Sequence, residues 1–140
     1  MSGSCLFCAI ARGEMAASFV LQEDGVRAFL DTRPVFKGHV LVIPAEHVAD
    51  FHTLPEGEMG RFWTAVQRVS RAVEAALAAD GTFIGVNNKI SQSVPHLHAH
   101  VVPRRKGDGL RGFFWPRTKY ESDEEREEWA RRIRVAMRQG

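Results

Sequence analysis

Three histidines in the second half of the chain alternate with apolar residues: His96, His98 and His100. This period of two is typical of a β-strand. Residues two apart on a strand stand on one face, roughly 6.6 Å from each other, so we expect the three imidazoles to form one row. An unpaired buried polar group costs about 1–3 kcal/mol. The ring nitrogens on that face therefore need a metal, a phosphate or water as a partner.

The only cysteines of the sequence, Cys5 and Cys8, stand in the segment C-L-F-C. A disulfide across so short a loop would be strained, which leaves a redox pair or half of a zinc site. A redox pair normally lies where a strand leads into a helix, whereas only four residues precede Cys5, so this position favours metal. Zinc takes four ligands, and histidine nitrogen commonly completes a set of two thiolates. Two further ligands are expected elsewhere in the chain.

The composition, 44% hydrophobic and 26% charged, is that of an ordinary globular protein and predicts a single domain spanning residues 1–140. A formal net charge of +2 is too small to suggest nucleic-acid binding. No apolar run approaches the ~18 residues of a membrane span, and the first residues lack the charged and apolar regions of a signal peptide. We therefore expect no nucleic-acid or membrane partner and a cytoplasmic location.

The elements that position these residues begin with five segments that have the pattern and bounds of strands: 18–23, 26–31, 39–43, 82–88 and the histidine row within 94–104. Between the first two strands, Asp24-Gly25 predicts a tight hairpin of type I′, in which both central residues need positive φ. The short connection predicts that these strands are antiparallel neighbours.

The residues after Cys8, A-I-A-R-G-E, suggest a short helix or turn, and two further segments have the pattern of longer helices. Thr53 and Glu56 fit a capping box, and amphipathic spacing then predicts a long helix from about Leu54 to Ala79, ended by Asp80-Gly81. Acids from residue 123 and arginines towards residue 138 match the helix macrodipole and predict a C-terminal helix. The predicted fold is α+β, a five-stranded mainly antiparallel sheet with one long crossing helix and a C-terminal helix.

The segment H-L-H-A-H-V-V at 96–102 matches the signature of three histidines alternating with apolar residues in the histidine triad (HIT) family of nucleotide hydrolases and transferases, which the chain resembles. Other matching segments occur in the family's order: C-L-F-C at 5–8, F-L-D at 29–31, G-H-V-L-V-I-P at 38–44, V-N at 86–87 and Q-S-V at 92–94. The segment R-R-K-G-D-G at 104–109 looks more like the dinucleoside polyphosphate hydrolase branch than the shorter phosphoramidase branch.

This resemblance implies a reaction. His98 would attack the α-phosphorus of a nucleotide, a phosphoanhydride or phosphoramidate bond would break, and water would then hydrolyse the nucleotidyl-histidine. His39 and His100 would orient His98 or donate protons. Neutral imidazole suits nucleophilic attack, and with a reference pKa of ~6.5 it is largely unprotonated at cytoplasmic pH. The implied substrate is a purine nucleotide or a dinucleoside polyphosphate.

The resemblance also implies a nucleotide site and a metal site. The nucleotide-binding candidates are Asn87, Gln92 and Ser93 for phosphate, Asp31 for the ribose hydroxyls, and Phe7, Ile10, Phe29 and Leu30 for the base. The metal candidates are Cys5, Cys8, His47 and His96, a closed structural zinc site, with His52 as the rival of His47. Members of the family are homodimers, which implies an interface formed by the fourth strand and the long helix.

Several alternatives stay open at this point. One is a zinc-stabilised nucleotide-binding module with little catalysis, and another is a metallohydrolase in which the three alternating histidines hold a catalytic metal. The segment N-K-I-S at 88–91 stands where the family often has glycines, so the loop is expected to differ in shape and to affect substrate preference. The basic stretch 104–119 is either a solvated loop or a lip that holds phosphate beside the histidines.

Overall fold

The structure is a computed structural model that describes residues 5–111 and 116–139. The chain divides into two units, Met1–Asp108 and Gly109–Gly140. The first four residues, on which part of the expectation about a signal peptide rests, lie outside the described residues. Within the described part, no helix is long and apolar enough to cross a membrane.

One antiparallel sheet dominates the first unit, and its strands are β1 (Phe19–Glu23), β2 (Val26–Leu30), β3 (Val40–Pro44), β4 (Gly81–Gly85) and β5 (Ala99–Arg104). Their order in the sheet is β1-β2-β3-β5-β4, and each neighbouring pair is antiparallel. The helices are α1 (Leu6–Ala11) and α2 (Met59–Leu77) in the first unit and α3 (Asp123–Gln139) in the second. The predicted α+β class with five antiparallel strands is confirmed.

The first hairpin is tight, as predicted, because Glu23 pairs with Val26 and leaves two residues in the loop. The turn is not of type I′, however. Gly25 has a φ of 82°, whereas Asp24 is not among the residues with positive φ. Type I′ needs positive φ at both positions. Glycine reaches that region without steric cost, but an L-residue does so at a cost of roughly 1–2 kcal/mol, so only Gly25 adopts it.

The start of α2 differs from the prediction. Asp50, and not Thr53, is the capping residue: its carboxylate accepts from the Thr53 backbone N–H at 3.1 Å, and the reciprocal bond of the capping box is also present. This box caps a 3₁₀ turn at Phe51–Thr53, and a second 3₁₀ turn at Glu56–Glu58 leads into α2. A carboxylate at residue 50 takes the N–H that the predicted box needed free, and the helix therefore starts later.

The end of α2 is closed by the segment that follows β5. The helix ends at Leu77, and Ala78 adopts a left-handed conformation with φ 51°. The sequence predicts that the helix ends at Asp80-Gly81. In the structure Asp80 lies outside the helix, and its backbone N–H donates to the Arg104 carbonyl of β5 at 2.9 Å. The Arg105 side chain donates to the Leu77 carbonyl and so satisfies one of the carbonyls exposed at the end of the helix.

The histidine row is only partly a strand, since β5 begins at Ala99 and of the three histidines only His100 lies within it. The preceding backbone is held by another partner: the Leu97 N–H donates to the Val48 carbonyl at 2.6 Å. The alternation of sides nevertheless persists from Leu97 onward. Apolar residues 97, 99 and 101 are fully buried against α2, whereas His96 and His98 contact the Phe7 ring of α1.

Two apolar clusters cover the two faces of the sheet. The larger lies between the sheet and α2, with Phe62, Val66 and Val69 of the helix packed on residues of β2, β3 and β5. The smaller contains Phe7 and Ile10 of α1 together with buried residues of β2 and β3. The histidines of residues 96–98 contact the second cluster, so the short helix α1 and the sheet face beneath it position the site.

Candidate active site and metal centre

His98 presents one ring nitrogen to a cavity. Its Nδ1 lies 2.8 Å from the His96 carbonyl oxygen, and because a carbonyl can only accept, Nδ1 carries the proton and Nε2 has the lone pair. Nε2 makes no hydrogen bond with any described residue, and no fully buried side-chain nitrogen of the described part lacks a partner. His98 is 5% exposed and lines the cavity. The lone pair of a buried imidazole is thus directed at an accessible space.

His39 and His100 form a hydrogen-bonded chain beside His98. The Val35 backbone N–H donates to His39 Nδ1 at 3.1 Å, so the proton of the neutral His39 ring is on Nε2. That Nε2–H donates to His100 Nδ1 at 3.0 Å. His100 therefore carries its own proton on Nε2, and its ring centroid is 5.0 Å from that of His98. A backbone N–H at one end of the chain sets the tautomer of both rings.

Burial keeps these two imidazoles neutral. It lowers the pKa of His39, and it lowers the pKa of His100 to about 4, while the charge of Asp31 opposes both shifts without cancelling them. Neutral rings agree with the hydrogen-bonded chain, since a protonated His39 would place an N–H against the N–H of Val35. Near pH 7 His100 is thus a neutral donor through Nε2.

A cavity of about 460 Å³ lies in front of His98 and His100. It includes most of the residues that the resemblance assigned to the nucleotide: Phe7, Ile10, Phe29, Leu30, Asp31 and Ser93. It also includes residues to which no role was given, among them Met15, Thr32, Arg33 and Val94. A volume of several hundred Å³ with apolar walls and a few polar groups is typical of a small-molecule site.

A second cavity of about 530 Å³ lies between strands β1 to β3 and the C-terminal half of α2. It shares Leu30 with the first cavity, and its charged lining residues are Lys37 and Arg68. Arg68 is already paired with Glu23 at 2.8 Å. The smaller cavity is the better candidate active site because it contains the histidines.

Asp31 is placed to accept from a ligand. Its Oδ1 accepts from the Arg33 backbone N–H at 2.9 Å, an Asx turn. Its Oδ2 lies 3.7 Å from His39 Nε2, and the side chain is 22% exposed. One carboxylate oxygen is thus fixed by the backbone, and the other lies beside His39 in a residue that lines the cavity.

Asn87 and Gln92 are not brought into the cavity. The Gln92 amide donates to the Ala49 carbonyl at 2.7 Å and accepts from the Lys89 backbone N–H at 3.1 Å. Asn87 donates to the Ser91 carbonyl at 3.3 Å. These amides organise the loop between them, in which Lys89 and Ser91 have φ of 76° and 59°. The loop thus adopts, without glycine, the left-handed conformations that glycine favours, and phosphate binding by Asn87 and Gln92 stays a prediction.

Four side chains near α1 form a cluster that could hold a metal ion: Cys5, Cys8, His47 and His96, whose ligand atoms all lie within 4.8 Å of one another. His96 Nδ1 is 3.4 Å from Cys5 Sγ and 3.5 Å from Cys8 Sγ. His47 Nδ1 is 3.3 Å from Cys8 Sγ. A tetrahedral zinc ion separates sulfur and nitrogen ligands by roughly 3.5 Å, so these distances fit zinc.

The tautomer of His96 fits the same ion. His96 Nε2 lies 2.9 Å from the Pro44 carbonyl, so Nε2 carries the proton and the lone pair of Nδ1 is directed at the sulfurs. A metal-bound histidine typically donates its other N–H to a carbonyl or carboxylate in this way. Burial lowers the pKa of His96 to about 4 and raises the pKa of the Cys8 thiol. The histidine is therefore ready to bind metal, and the ion would have to displace the thiol proton of Cys8.

Other metal assignments fit less well. His52 is exposed in the turn Phe51–Thr53, away from the four-residue cluster. Asp31, His39 and His100 also lie within 4.8 Å of one another, but coordination through His39 Nε2 would leave that ring without a proton, because its Nδ1 already accepts from Val35. The tautomers of this second group are those of a hydrogen-bonded chain.

Residues 104–106, the start of the basic stretch, make hydrogen bonds to other residues of the first unit. Arg104 pairs with Asp108 through two hydrogen bonds, of 2.6 and 3.1 Å, and the Lys106 backbone N–H donates to Asp80. Arg104 is four residues beyond His100 on β5, which places the two Cα atoms roughly 13 Å apart. The arginines at 104 and 105 close the end of α2 and do not line the candidate active-site cavity.

A family model described as HIT domain matches residues 12–107 of the chain. An uncharacterized HIT-like protein of Mycobacterium tuberculosis is 37% identical over 140 residues, covering 96% of this chain and 94% of that protein. An adenosine 5′-monophosphoramidase of Schizosaccharomyces pombe is 32% identical, with 81% and 84% covered. A bis(5′-nucleosyl)-tetraphosphatase of the same yeast is 36% identical, with 58% and 46% covered.

Among solved structures, a zinc-bound histidine triad family protein from Mycobacterium smegmatis has a TM-score of 0.74 and 37% identity, with 99% of this chain and 96% of that chain covered. The relatives thus include nucleotide hydrolases and a protein that binds zinc.

Proposed function

Because this chain belongs to the HIT domain family, we propose that it is a nucleotide hydrolase or transferase that acts through a covalent nucleotidyl-His98 intermediate. The observation that carries the proposal is the pair of fixed tautomers: His98 Nε2 has a free lone pair in the cavity, and His100 carries a proton on its Nε2 beside it. A nucleophilic lone pair next to a hydrogen-bond donor that can stabilise the leaving group suits a two-step displacement.

In the first step, His98 Nε2 attacks the α-phosphorus and forms a P–N bond. The bond from phosphorus to the leaving group breaks, and its electron pair stays with the leaving group. The imidazolium that forms keeps its Nδ1–H on the His96 carbonyl, which stabilises the new charge. The leaving group of a phosphoramidate departs as a neutral amine, which takes its proton from solvent in the cavity, and the Nε2–H of His100 donates a hydrogen bond to the departing group.

In the second step, water attacks phosphorus from the side that the leaving group has vacated. The P–N bond breaks, a nucleoside monophosphate leaves and His98 regains its lone pair. The proton of the attacking water passes to solvent, which balances the reaction for an anionic leaving group as well as for an amine that took its proton from solvent in the first step. His39 acts through His100 as a positioning residue, because its Nε2–H holds the His100 ring.

The cavity supplies the binding contacts in this proposal. Phe7, whose ring meets Phe29 edge to face at 5.4 Å, forms an apolar slot for a base together with Ile10 and Leu30. Asp31 accepts from the ribose hydroxyls and Ser93 contacts the phosphate. Phosphate contacts of Asn87 and Gln92 stay a prediction, because both amides are hydrogen-bonded outside the cavity in this structure. The substrate is a purine nucleotide or a dinucleoside polyphosphate.

Zinc has a structural role in the proposal. Cys5, Cys8, His47 and His96 hold the ion, and four protein ligands leave no open position for water or substrate. When bound, zinc supplies a cross-link between α1 and the segment that carries the nucleophile. The chemistry at phosphorus is left to the histidines.

Assembly and location complete the proposal. Strand β4 is an edge of the sheet and carries Ile84 at 42% exposure. An exposed edge next to a helix invites pairing with a second copy, so we propose a homodimer through β4 and α2.

A cytoplasmic location is proposed because Cys5 and Cys8 are free thiols, as expected in a reducing compartment. A single domain over residues 1–140 stays a prediction, since the family model covers 12–107.

The test is to trap the intermediate. Wild-type protein is mixed with an adenine dinucleoside tetraphosphate or an adenosine phosphoramidate, both labelled at the α-phosphorus, quenched in seconds and digested for peptide mapping. The label should be found on His98. Label on another residue, or turnover retained in His98→Ala, would contradict the mechanism. Binding of both compounds without turnover would instead indicate a nucleotide-binding module.

A further inference from the structure

Arg33 lines the cavity that contains His98 and Asp31. Its backbone is fixed from both sides, because its N–H donates to Asp31 Oδ1 at 2.9 Å and Pro34 follows with a restricted φ. Its guanidinium makes no hydrogen bond or ion pair with any residue of the described part. A cation with a fixed backbone and an uncommitted side chain is therefore available to a ligand.

The charges around the cavity make this cation significant. Among the described lining residues, Arg33 is the one with a permanent positive charge, and Asp31 is the one carboxylate. The donor His100 is kept neutral near pH 7 by burial, so it does not offset the charge of a polyphosphate. Arg104 and Arg105 are bound to the end of α2 and to Asp108. Arg33 is the remaining candidate in this cavity.

We propose that Arg33 binds the leaving group and makes the protein selective for substrates whose leaving group is an anion, that is, for nucleoside and dinucleoside polyphosphates over phosphoramidates. The inference rests on the proposed function and deepens it by naming the substrate class. A guanidinium presents a planar fork of N–H donors that fits phosphate, and such charge-assisted hydrogen bonds are about twice as strong as neutral ones.

The electron balance of the two reactions explains the selectivity. When a phosphoanhydride breaks, the bridging oxygen keeps the electron pair and the departing polyphosphate gains a negative charge, which Arg33 stabilises most in the transition state. When a phosphoramidate breaks, the amine takes a proton and leaves neutral. The ribose and the α-phosphate are common to both classes, so a contact confined to them would not discriminate.

The experiment compares kcat/KM for an adenine dinucleoside tetraphosphate and for adenosine phosphoramidate in Arg33→Gln, Arg33→Lys and wild type. Arg33→Gln should lower the value for the tetraphosphate about tenfold or more, because it removes a charge-assisted hydrogen bond to the leaving group, and that for the phosphoramidate less than about twofold. Arg33→Lys should recover part of the loss. The matched control is Lys37→Gln. Lys37 is an exposed cation in the same loop between β2 and β3, but it lines the other cavity, so this substitution should change neither kcat/KM value.

An equal loss with both substrates, or no loss with either, overturns the assignment of Arg33 to the leaving group. If wild type turns over neither compound, the proposed function fails, and binding then decides the question about Arg33. The dissociation constants of both compounds are measured in His98→Ala with and without Arg33→Gln. Weaker binding of the tetraphosphate alone supports the inference, and an unchanged ratio of the two constants overturns it.

Discussion

The candidate metal centre, which includes His96, and the candidate catalytic cluster, which consists of His39, His98 and His100, meet within residues 96–98. They differ in which imidazole nitrogen the backbone holds. In His96 the Pro44 carbonyl fixes the proton on Nε2, so the lone pair of Nδ1 is directed at the two sulfurs. In His98 the His96 carbonyl fixes the proton on Nδ1, so the lone pair of Nε2 is directed at the cavity. The same residue type, two positions apart, thus directs its lone pair at two different sites because the backbone acceptors differ.

The two regions also differ in what surrounds the lone pair. His96 is 0% exposed and has sulfur neighbours at 3.4–3.5 Å, an enclosed position for an ion. His98 is 5% exposed, and its Nε2 has no protein partner among the described residues. A buried lone pair without a partner is costly unless the space in front of it admits water or a ligand. The cavity provides that space, which is why the second position suits a nucleophile.

The largest effect is expected from His98→Ala. Loss of the nucleophile should reduce kcat by about 10³-fold or more, on the scale known for removing a nucleophile, whereas zinc content and the melting temperature should stay close to wild type. Binding of adenosine monophosphate should persist, because the apolar slot and Asp31 remain. Steady-state kinetics, metal analysis and calorimetric titration on one preparation provide the measurements.

The matched variant is His96→Ala, two residues away. It should lose zinc and melt at a lower temperature, and its activity should fall only as the folded fraction falls. If His96→Ala keeps its zinc, or if His98→Ala loses it, the division of roles between the two histidines is wrong.

Removal of zinc should have the second largest effect. An ion at a thousandfold excess over its dissociation constant contributes about 4 kcal/mol to folding stability, which corresponds to a fall of roughly 10 °C in melting temperature for a domain of this size. Below that temperature, kcat of the chelated protein should change by less than about threefold. Scanning calorimetry with and without chelator tests the first expectation and kinetics at 15 °C the second.

Two variants sharpen the zinc prediction. Cys8→Ser should melt at the lower temperature whether or not chelator is present, while His52→Gln should behave as wild type because His52 is exposed and outside the cluster. Loss of zinc in His52→Gln would make His52 the ligand. Loss of turnover on chelation, in protein that is still folded, would place the metal in the chemical step.

Much of the fold could be predicted because its signals are local. Alternation from Leu97 to Val101 fixes which side chains face α2, and the two-residue loop before Val26 fixes the first hairpin. The start of β5 could not be predicted, because it depends on a bond from the Leu97 N–H to the Val48 carbonyl, 49 residues away in sequence. No local pattern reports such a partner.

The candidate site, like the fold, could be predicted only in part from the sequence. Residue types and resemblance brought the four possible metal ligands and most of the cavity lining together. The tautomers could not be predicted, because each depends on which backbone group the folded chain brings to the ring, Pro44 for His96, His96 for His98 and Val35 for His39. Arg33 was missed because an exposed arginine in a loop looks solvated. The signal that could have identified it is the Asx turn with Asp31, which fixes Arg33 beside the expected ribose contact.

A smaller effect is expected on folding stability when the pH is lowered. Burial lowers the pKa of His100 to about 4 from an ordinary value near 6.5, so as the pH falls the unfolded chain binds the proton first. The stability that His100 contributes is complete above about pH 6.5 and is lost progressively as the pH falls towards about 4. Between pH 7.5 and pH 5 wild type should therefore lose more stability than His100→Gln, by about 1 kcal/mol after allowance for partial exposure.

Urea denaturation at the two pH values measures this difference for each protein. Any loss that results from zinc release at low pH is common to both proteins and cancels in the comparison. An equal loss of stability in wild type and His100→Gln would show that the catalytic cluster contributes no acid sensitivity of its own.

The smallest effect concerns the loop that Asn87 and Gln92 organise. Lys89 has a φ of 76°, a conformation that costs an L-residue roughly 1–2 kcal/mol and glycine almost nothing, although glycine also gains freedom in the unfolded chain, worth about 0.4–1 kcal/mol. Lys89→Gly should therefore stabilise the protein by about 0.5 kcal/mol in urea denaturation. Its kcat/KM should change by less than about threefold, because Lys89 does not line the cavity and its backbone N–H can still donate to Gln92.

Ala78→Gly is the matched control: Ala78 has a φ of 51° after the end of α2, so it should give a similar gain in stability with no change in kcat/KM. A tenfold loss of kcat/KM in Lys89→Gly alone would mean that the side chain or the rigidity of residue 89 belongs to the catalytic cluster, and the loop would then have to be counted with the nucleophile rather than with the scaffold.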